Sequence, residues 1–169
     1  MIIIAIASTL FSFLLMGMIS NYQGYIPSNL SWFQTIYPLV ALLILAPYFE
    51  NKKKLIALVI ITGLLTDIIY SHSIILNACL FATIYYFSKT FHFFFPYNLL
   101  TINISNLLSI FIYHIISFLI LLLLRYDSYN LLTLGKILSH SILMTIIYTS
   151  IIYLLIDFIY KKFELKEIK

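Results

Sequence analysis

Charge is what this sequence has least of. Lys and Arg number 10 and Asp and Glu number 6 in 169 residues, or 9% of the chain. A soluble domain carries about 25%. So few charges cannot cover a water-facing surface, which excludes an ordinary soluble domain. A disordered chain is excluded by the 63% hydrophobic content, since disorder goes with low hydrophobicity. The sequence pI near 9.1 arises from a handful of lysines and implies no nucleic-acid partner. Glycine and proline number four each, and cysteine one. Cys79 lies in an apolar run, so a disulfide framework within the chain and a multi-cysteine metal site are both excluded. The sequence holds no CxxC, no HExxH, no phosphate loop and no serine–histidine–aspartate arrangement. The expectation is a chain with no cofactor and no metal site, and not an enzyme.

What is present is apolar sequence in long runs, with mean hydropathy +1.05. The expected class is all-α, a polytopic helical membrane protein, with residues 1–169 forming one integral membrane domain. A membrane β-barrel would alternate apolar and polar residues, and the run from Ile115 to Leu124 does not. A spanning helix needs about 20 mostly apolar residues. Residues 2–20, 32–49, 55–70, 74–88, 99–124 and 134–160 meet or approach that length, giving six transmembrane helices. The first lacks a basic flank and a small-residue cleavage site, so it reads as a retained helix rather than a removed signal peptide. The third and fourth flank Ser71-His72-Ser73, which predicts a tight helical hairpin. Lys89 to Asn98 reads as a connector.

Lysine and arginine placement sets the expected orientation. With both termini cytoplasmic, the inner segments hold Lys52, Lys53, Lys54, Lys89, Lys161, Lys162, Lys166 and Lys169. The outer segments hold only Arg125 and Lys136. Both termini are therefore expected in the cytoplasm. A composition dominated by Ile, Leu, Phe, Tyr, Asn and Lys, as AT-rich coding gives, points to the cell membrane of a bacterium.

Ionisable residues at membrane depth are costly, so each is a candidate site. Asp67 leads. It follows Gly63 by four residues, which puts both on one helix face, and a glycine there lets a neighbouring backbone approach. Its commonest role would be a structural carboxylate that fixes the hairpin. His114 lies mid-span near Asn103, Asn106 and Ser117, where an interhelical hydrogen bond is the ordinary expectation. His140 falls where it could meet His72 or Asp67. Asp157 precedes Lys161 by four residues, the spacing of a helical ion pair. Tyr85, Tyr86, Tyr97, Tyr153 and Tyr160 fall at span ends, as an aromatic belt would. The connector from Asn21 to Ser31 has no charge and offers Tyr22 and Tyr25, with Trp32 at its edge. Those three aromatics are the candidate partner contact.

The stretch Gly63-Leu64-Leu65-Thr66-Asp67-Ile68-Ile69-Tyr70 resembles the rod-shape-determining MreD family, whose members carry Gly-x-x-x-Asp late in a span, then a short turn and another span. The charged Asn-Lys-Lys-Lys step before it, the Ser88-Lys89 exit and the basic tail are similar too. Ile75-Leu76-Asn77-Ala78 places Ile75 where many members have glycine. Gly63, Asp67 and Asn77 are the motif residues that the resemblance marks. It implies a fold similar to the substrate-binding S components of energy-coupling-factor transporters. It also implies a non-enzymatic scaffold of the cell-elongation machinery. Such a scaffold binds a single-span MreC-like protein. Through the complex it reaches MreB, RodA and a class B penicillin-binding protein, supporting peptidoglycan synthesis and rod shape. Membrane lipids are the other expected partners. The alternative is a small-molecule-binding, S-component-like subunit of a membrane transporter.

Overall fold

A computed structural model describes residues 2–22, 35–48, 52–71, 75–124 and 131–162. Those residues are almost wholly helical. The six helices are α1 (Ile2–Tyr22), α2 (Tyr37–Leu45), α3 (Lys52–Thr66), α4 (Leu76–Phe94), α5 (Leu99–Leu123) and α6 (Leu131–Lys162). A 3-10 turn, Ala46–Tyr48, ends α2, and a π-helical turn, Asp67–Ser71, ends α3. α5 and α6 each contain a segment long and apolar enough to cross a membrane, Leu99–Leu123 and Leu131–Tyr160.

Local sequence explains the helix ends. Pro38 falls in the first turn of α2, where its missing N–H costs nothing. At α5, Asn98 and Thr101 form a reciprocal capping box: the Asn98 side chain accepts from the Thr101 N–H at 2.9 Å, and the Asn98 N–H donates to Thr101 Oγ1 at 3.1 Å. Pro96 bars α4 from continuing into α5. The expected connector at 89–98 is thus mostly helix, because nothing before Phe95 breaks the pattern and α4 runs on to Phe94. The expected span at 32–49 also differs. Its described helix covers only Tyr37–Leu45 plus the 3-10 turn, because Pro38 and Pro47 bracket it. Nine residues rise only about 14 Å, against a hydrocarbon core of about 30 Å.

The short α2 is the centre of the molecule. Every residue from Tyr37 to Leu45 is buried, and α1, α3, α4, α5 and α6 all pack on it. The outer helices turn large apolar side chains outward: Leu10, Leu14 and Met18 on α1, Ile61 and Leu65 on α3, Leu119 and Leu122 on α5, Leu154 and Phe158 on α6. Their inward faces mix buried apolar residues, such as Val59, Ile102, Ile110, Ile152 and Ile156, with small polar ones. Thr9 and Ser12 of α1, Ser105, Asn106 and Ser109 of α5, and Ser141, Thr145 and Thr149 of α6 are all buried. Most of them are hydrogen-bonded across or along helices. Asn106 Nδ2 donates to Thr149 Oγ1 at 3.2 Å, Ser88 and Ser105 share a bond of 3.2 Å, and Thr35 and Thr145 share one of 2.8 Å. Small residues let helix backbones approach, and their hydroxyls satisfy one another.

Neighbouring helices alternate in direction. The end of α2, the start of α3 and the last turns of α4 line one cavity. Tyr160, near the end of α6, donates to the Tyr48 carbonyl at 3.4 Å. Lys52, Lys53, Lys54, Lys89 and Lys162 therefore collect at one end of the bundle, and Lys136, near the start of α6, lies at the other. The lysine-rich end is called the basic end below.

Candidate functional site

The residues that carry the resemblance meet in one joint between α3 and α4. Gly63 presses on the start of α4. A Cβ built on it would stand 2.5 Å from Ala78 Cα, 2.8 Å from Ala78 N and 2.9 Å from the Asn77 carbonyl oxygen. All three are backbone atoms that cannot swing aside. Only a residue with no side chain allows this approach.

Four residues on, Asp67 opens the π turn and is completely buried. Its Oδ1 accepts from the Asn77 N–H and from Asn77 Nδ2, both at 2.9 Å. Its Oδ2 accepts from the Ala78 N–H at 3.1 Å. Asn77 and Ala78 are the second and third residues of α4, so these are N–H groups that no carbonyl within the helix can reach. The usual remedy is an acceptor side chain at the N-cap. Here the N-cap is Ile75, which has no side-chain acceptor. Asp67 supplies it from the preceding helix. Its negative charge also sits at the positive end of the α4 dipole.

The joint reaches a third helix. The Tyr113 hydroxyl of α5 donates to Asn77 Oδ1. Asn77 thus receives from α5 and donates to α3, so one amide ties three helices. Phe81 packs edge-on against the Tyr113 ring, with centroids 6.2 Å apart. At the same end of the bundle, the Tyr70 hydroxyl donates to the Phe13 carbonyl of α1 at 2.9 Å. Gly17 makes room for it, since a Cβ there would lie 2.7 Å from that hydroxyl oxygen.

The remaining candidates are scattered. Asn103 and Asn106 face α6, where Asn103 Nδ2 reaches Ser150 Oγ at 3.2 Å. His114 is half-buried beside Tyr113, and its buried Nε2 has no hydrogen-bond partner among the described residues. His140 stands half-buried on α6. Cys79 is exposed on α4. Tyr22 closes α1, while Tyr25, Trp32 and His72 lie outside the described residues, as does the side chain of Lys161 that was paired with Asp157.

Most of the tyrosines at the span ends pack against the bundle. Of the five expected in an aromatic belt, only Tyr86 is exposed; Tyr85 is buried, and Tyr97, Tyr153 and Tyr160 are partly buried. Three of them surround the end of α2. Tyr48 contacts the Tyr97 ring at 5.7 Å and the Tyr160 ring at 4.5 Å, and Tyr97 contacts Tyr153 at 6.0 Å. The Tyr97 hydroxyl donates to the Ile44 carbonyl. In the 3-10 turn that carbonyl would take the N–H of residue 47, but Pro47 has none. Sequence reading missed this role, although a proline closing a short buried helix signals a carbonyl in need of a donor.

Compared with protein-family models, curated proteins and solved structures, the chain matches none.

Proposed function

We propose that this chain is an integral membrane scaffold of the MreD type, with six helices in the membrane and the short α2 enclosed by the other five. On this reading it lies in the bacterial cell membrane with both termini in the cytoplasm. It binds a single-span MreC-like protein and through it supports MreB, RodA and a class B penicillin-binding protein in peptidoglycan synthesis. The observation that carries the proposal is the joint at Gly63, Asp67 and Asn77. The residues on which the resemblance rests form one packed, hydrogen-bonded unit that fixes two helices against a third. A carboxylate fully occupied with helix N–H groups suits a structural part better than a reacting group.

Burial supports the membrane reading. The two long apolar helices are mostly exposed rather than mostly buried, unlike the core helices of a soluble protein. Lipid replaces water as the solvent of those outward faces. The asymmetric lysines support the orientation. A chain of this kind offers a partner mainly its helix faces and short connectors, which suits a membrane-embedded companion.

Co-purification from membranes with an MreC-like single-span protein tests the proposal. Recovery of the complex is expected, and replacing Tyr22, Tyr25 and Trp32 by alanine should weaken it while leaving insertion intact. Full recovery by the triple variant removes that loop as the contact. No recovery by the wild type removes the scaffold reading. A co-eluting small molecule in its place would favour the transporter-subunit alternative.

A further inference from the structure

At the basic end, a cavity of about 470 Å³ opens between α2, α3 and α4. That size lies within the range of small-ligand sites, about 300–1,000 Å³. Lys52 reaches it from the first turn of α3 and Lys89 from the far end of α4, two lysines that the sequence keeps 37 residues apart. Tyr85 lines it as well. That residue is only 3% exposed, and its hydroxyl has no hydrogen-bond partner among the described residues. His92 completes the polar wall, and its buried Nδ1 likewise has no partner. None of the described lining residues is acidic. Two cations and two unpaired polar groups around one open space make a receptor for an anion with several acceptor oxygens.

The rim indicates where that anion comes from. Phe93, a lining residue, is 83% exposed, and Tyr86 beside it is 52% exposed. Phe94 is equally turned outward. Beyond them run the outward apolar faces of the helices. An anion attached to hydrocarbon chains would satisfy both surfaces together, whereas a free anion would leave the aromatic rim uncovered.

We propose that this cavity holds the phosphate headgroup of an anionic phospholipid, with its acyl chains lying past Phe93 along the outer helices. The proposal rests on the membrane reading above. Basic pockets between membrane helices on the cytoplasmic side are a known physical route to headgroup binding. Tyr85 and His92 can hydrogen-bond the phosphate oxygens of any phospholipid. The two lysines supply the preference for a net negative headgroup, since the choline cation of phosphatidylcholine would be repelled by them.

Native mass spectrometry of the full chain in neutral detergent tests this, with titrations of phosphatidylglycerol, phosphatidylcholine and inorganic phosphate. Phosphatidylglycerol adducts should exceed phosphatidylcholine adducts by about fivefold or more in apparent affinity, a preference of about 1 kcal/mol. The variant Lys52→Gln/Lys89→Gln should lose most of that preference. Lys53→Gln/Lys162→Gln removes the same charge from the same end but outside the cavity, and should keep it. Both variants alter exposed residues, and circular dichroism should match the wild type. Equal binding of the two lipids overturns the proposal, as does an equal loss in both variants. Binding of inorganic phosphate alone, with no lipid preference, also overturns it in favour of a soluble phosphate. Detergent-free release of the chain from membranes would overturn the membrane reading itself. A membrane-retained chain with no lipid preference overturns only this inference.

Discussion

Replacing Asp67 by alanine would leave the Asn77 and Ala78 N–H groups and the Asn77 amide without their acceptor in a buried setting. The expected cost is about 1–3 kcal/mol, read as a lower unfolding temperature of the detergent-solubilised protein and lower inserted yield. Asp67→Asn can keep its oxygen where the two Asn77 donors converge but then turns its NH2 on the Ala78 N–H, so it should fall between alanine and wild type. Equal stability of all three would mean that the carboxylate does not hold α4. Gly63→Ala should be as damaging by a different route. Its methyl group would collide with the Ala78 backbone, and overpacking costs about 1–3 kcal/mol. Wild-type stability there would mean the helices can separate freely. Gly63 and Asp67 are legible from sequence because four-residue spacing puts them on one face. Their targets are not, because cap rules inspect the residue next to the helix, and at Ile75 that residue is silent.

At the scale of the element, the end of α2 shows the same substitution of a distant group for a local one. Pro47 withholds an N–H, and the Tyr97 hydroxyl, 53 residues away, occupies the Ile44 carbonyl. Tyr97→Phe keeps the ring contacts with Tyr48 and Tyr153 and removes only that donor. It should destabilise by about 1–3 kcal/mol, the cost of a buried acceptor left unmet. Tyr86→Phe, on an exposed ring, should change nothing measurable, and thermal unfolding of the two variants side by side checks the contrast. The six helices themselves are legible from apolar run length, with α1, α3, α5 and α6 close to their expected bounds. The tyrosines are not, because a ring at a helix end reads as interfacial until the fold brings another helix end to it. α4 outruns its expected length because Lys89 and His92 interrupt the apolar run without breaking the helix.

For the whole molecule, the alternation of helices places five described lysines at one end and Lys136 at the other. Cysteine labelling in a Cys79-free background should find position 166 accessible from the cytoplasm and position 27 accessible from outside. External labelling at 166 would reverse the orientation, and cytoplasmic labelling at 27 would change the number of spans. The charge asymmetry is legible in the sequence. The small polar residues inside the bundle are legible only in part. Thr9 and Ser12 on α1, and Ser141, Thr145 and Thr149 on α6, recur at helical spacing, but sequence alone does not say whether such a stripe faces lipid or protein. Packing on α2 decides that these stripes face inward.

The enclosure of α2 has a consequence for how the chain is made. If the chain inserts in a membrane as proposed, four of the five helices that surround α2 are synthesised after it. Until they arrive, its Leu- and Ile-rich sides have no protein to cover them. Because no side of Leu39 to Leu45 carries a polar group, hydrocarbon can stand in on every face during that interval. A helix with one polar stripe would have to wait at the insertion machinery for its mate. This one can be released early and collected afterwards, so the ordering of biogenesis is relaxed where the final packing is tightest.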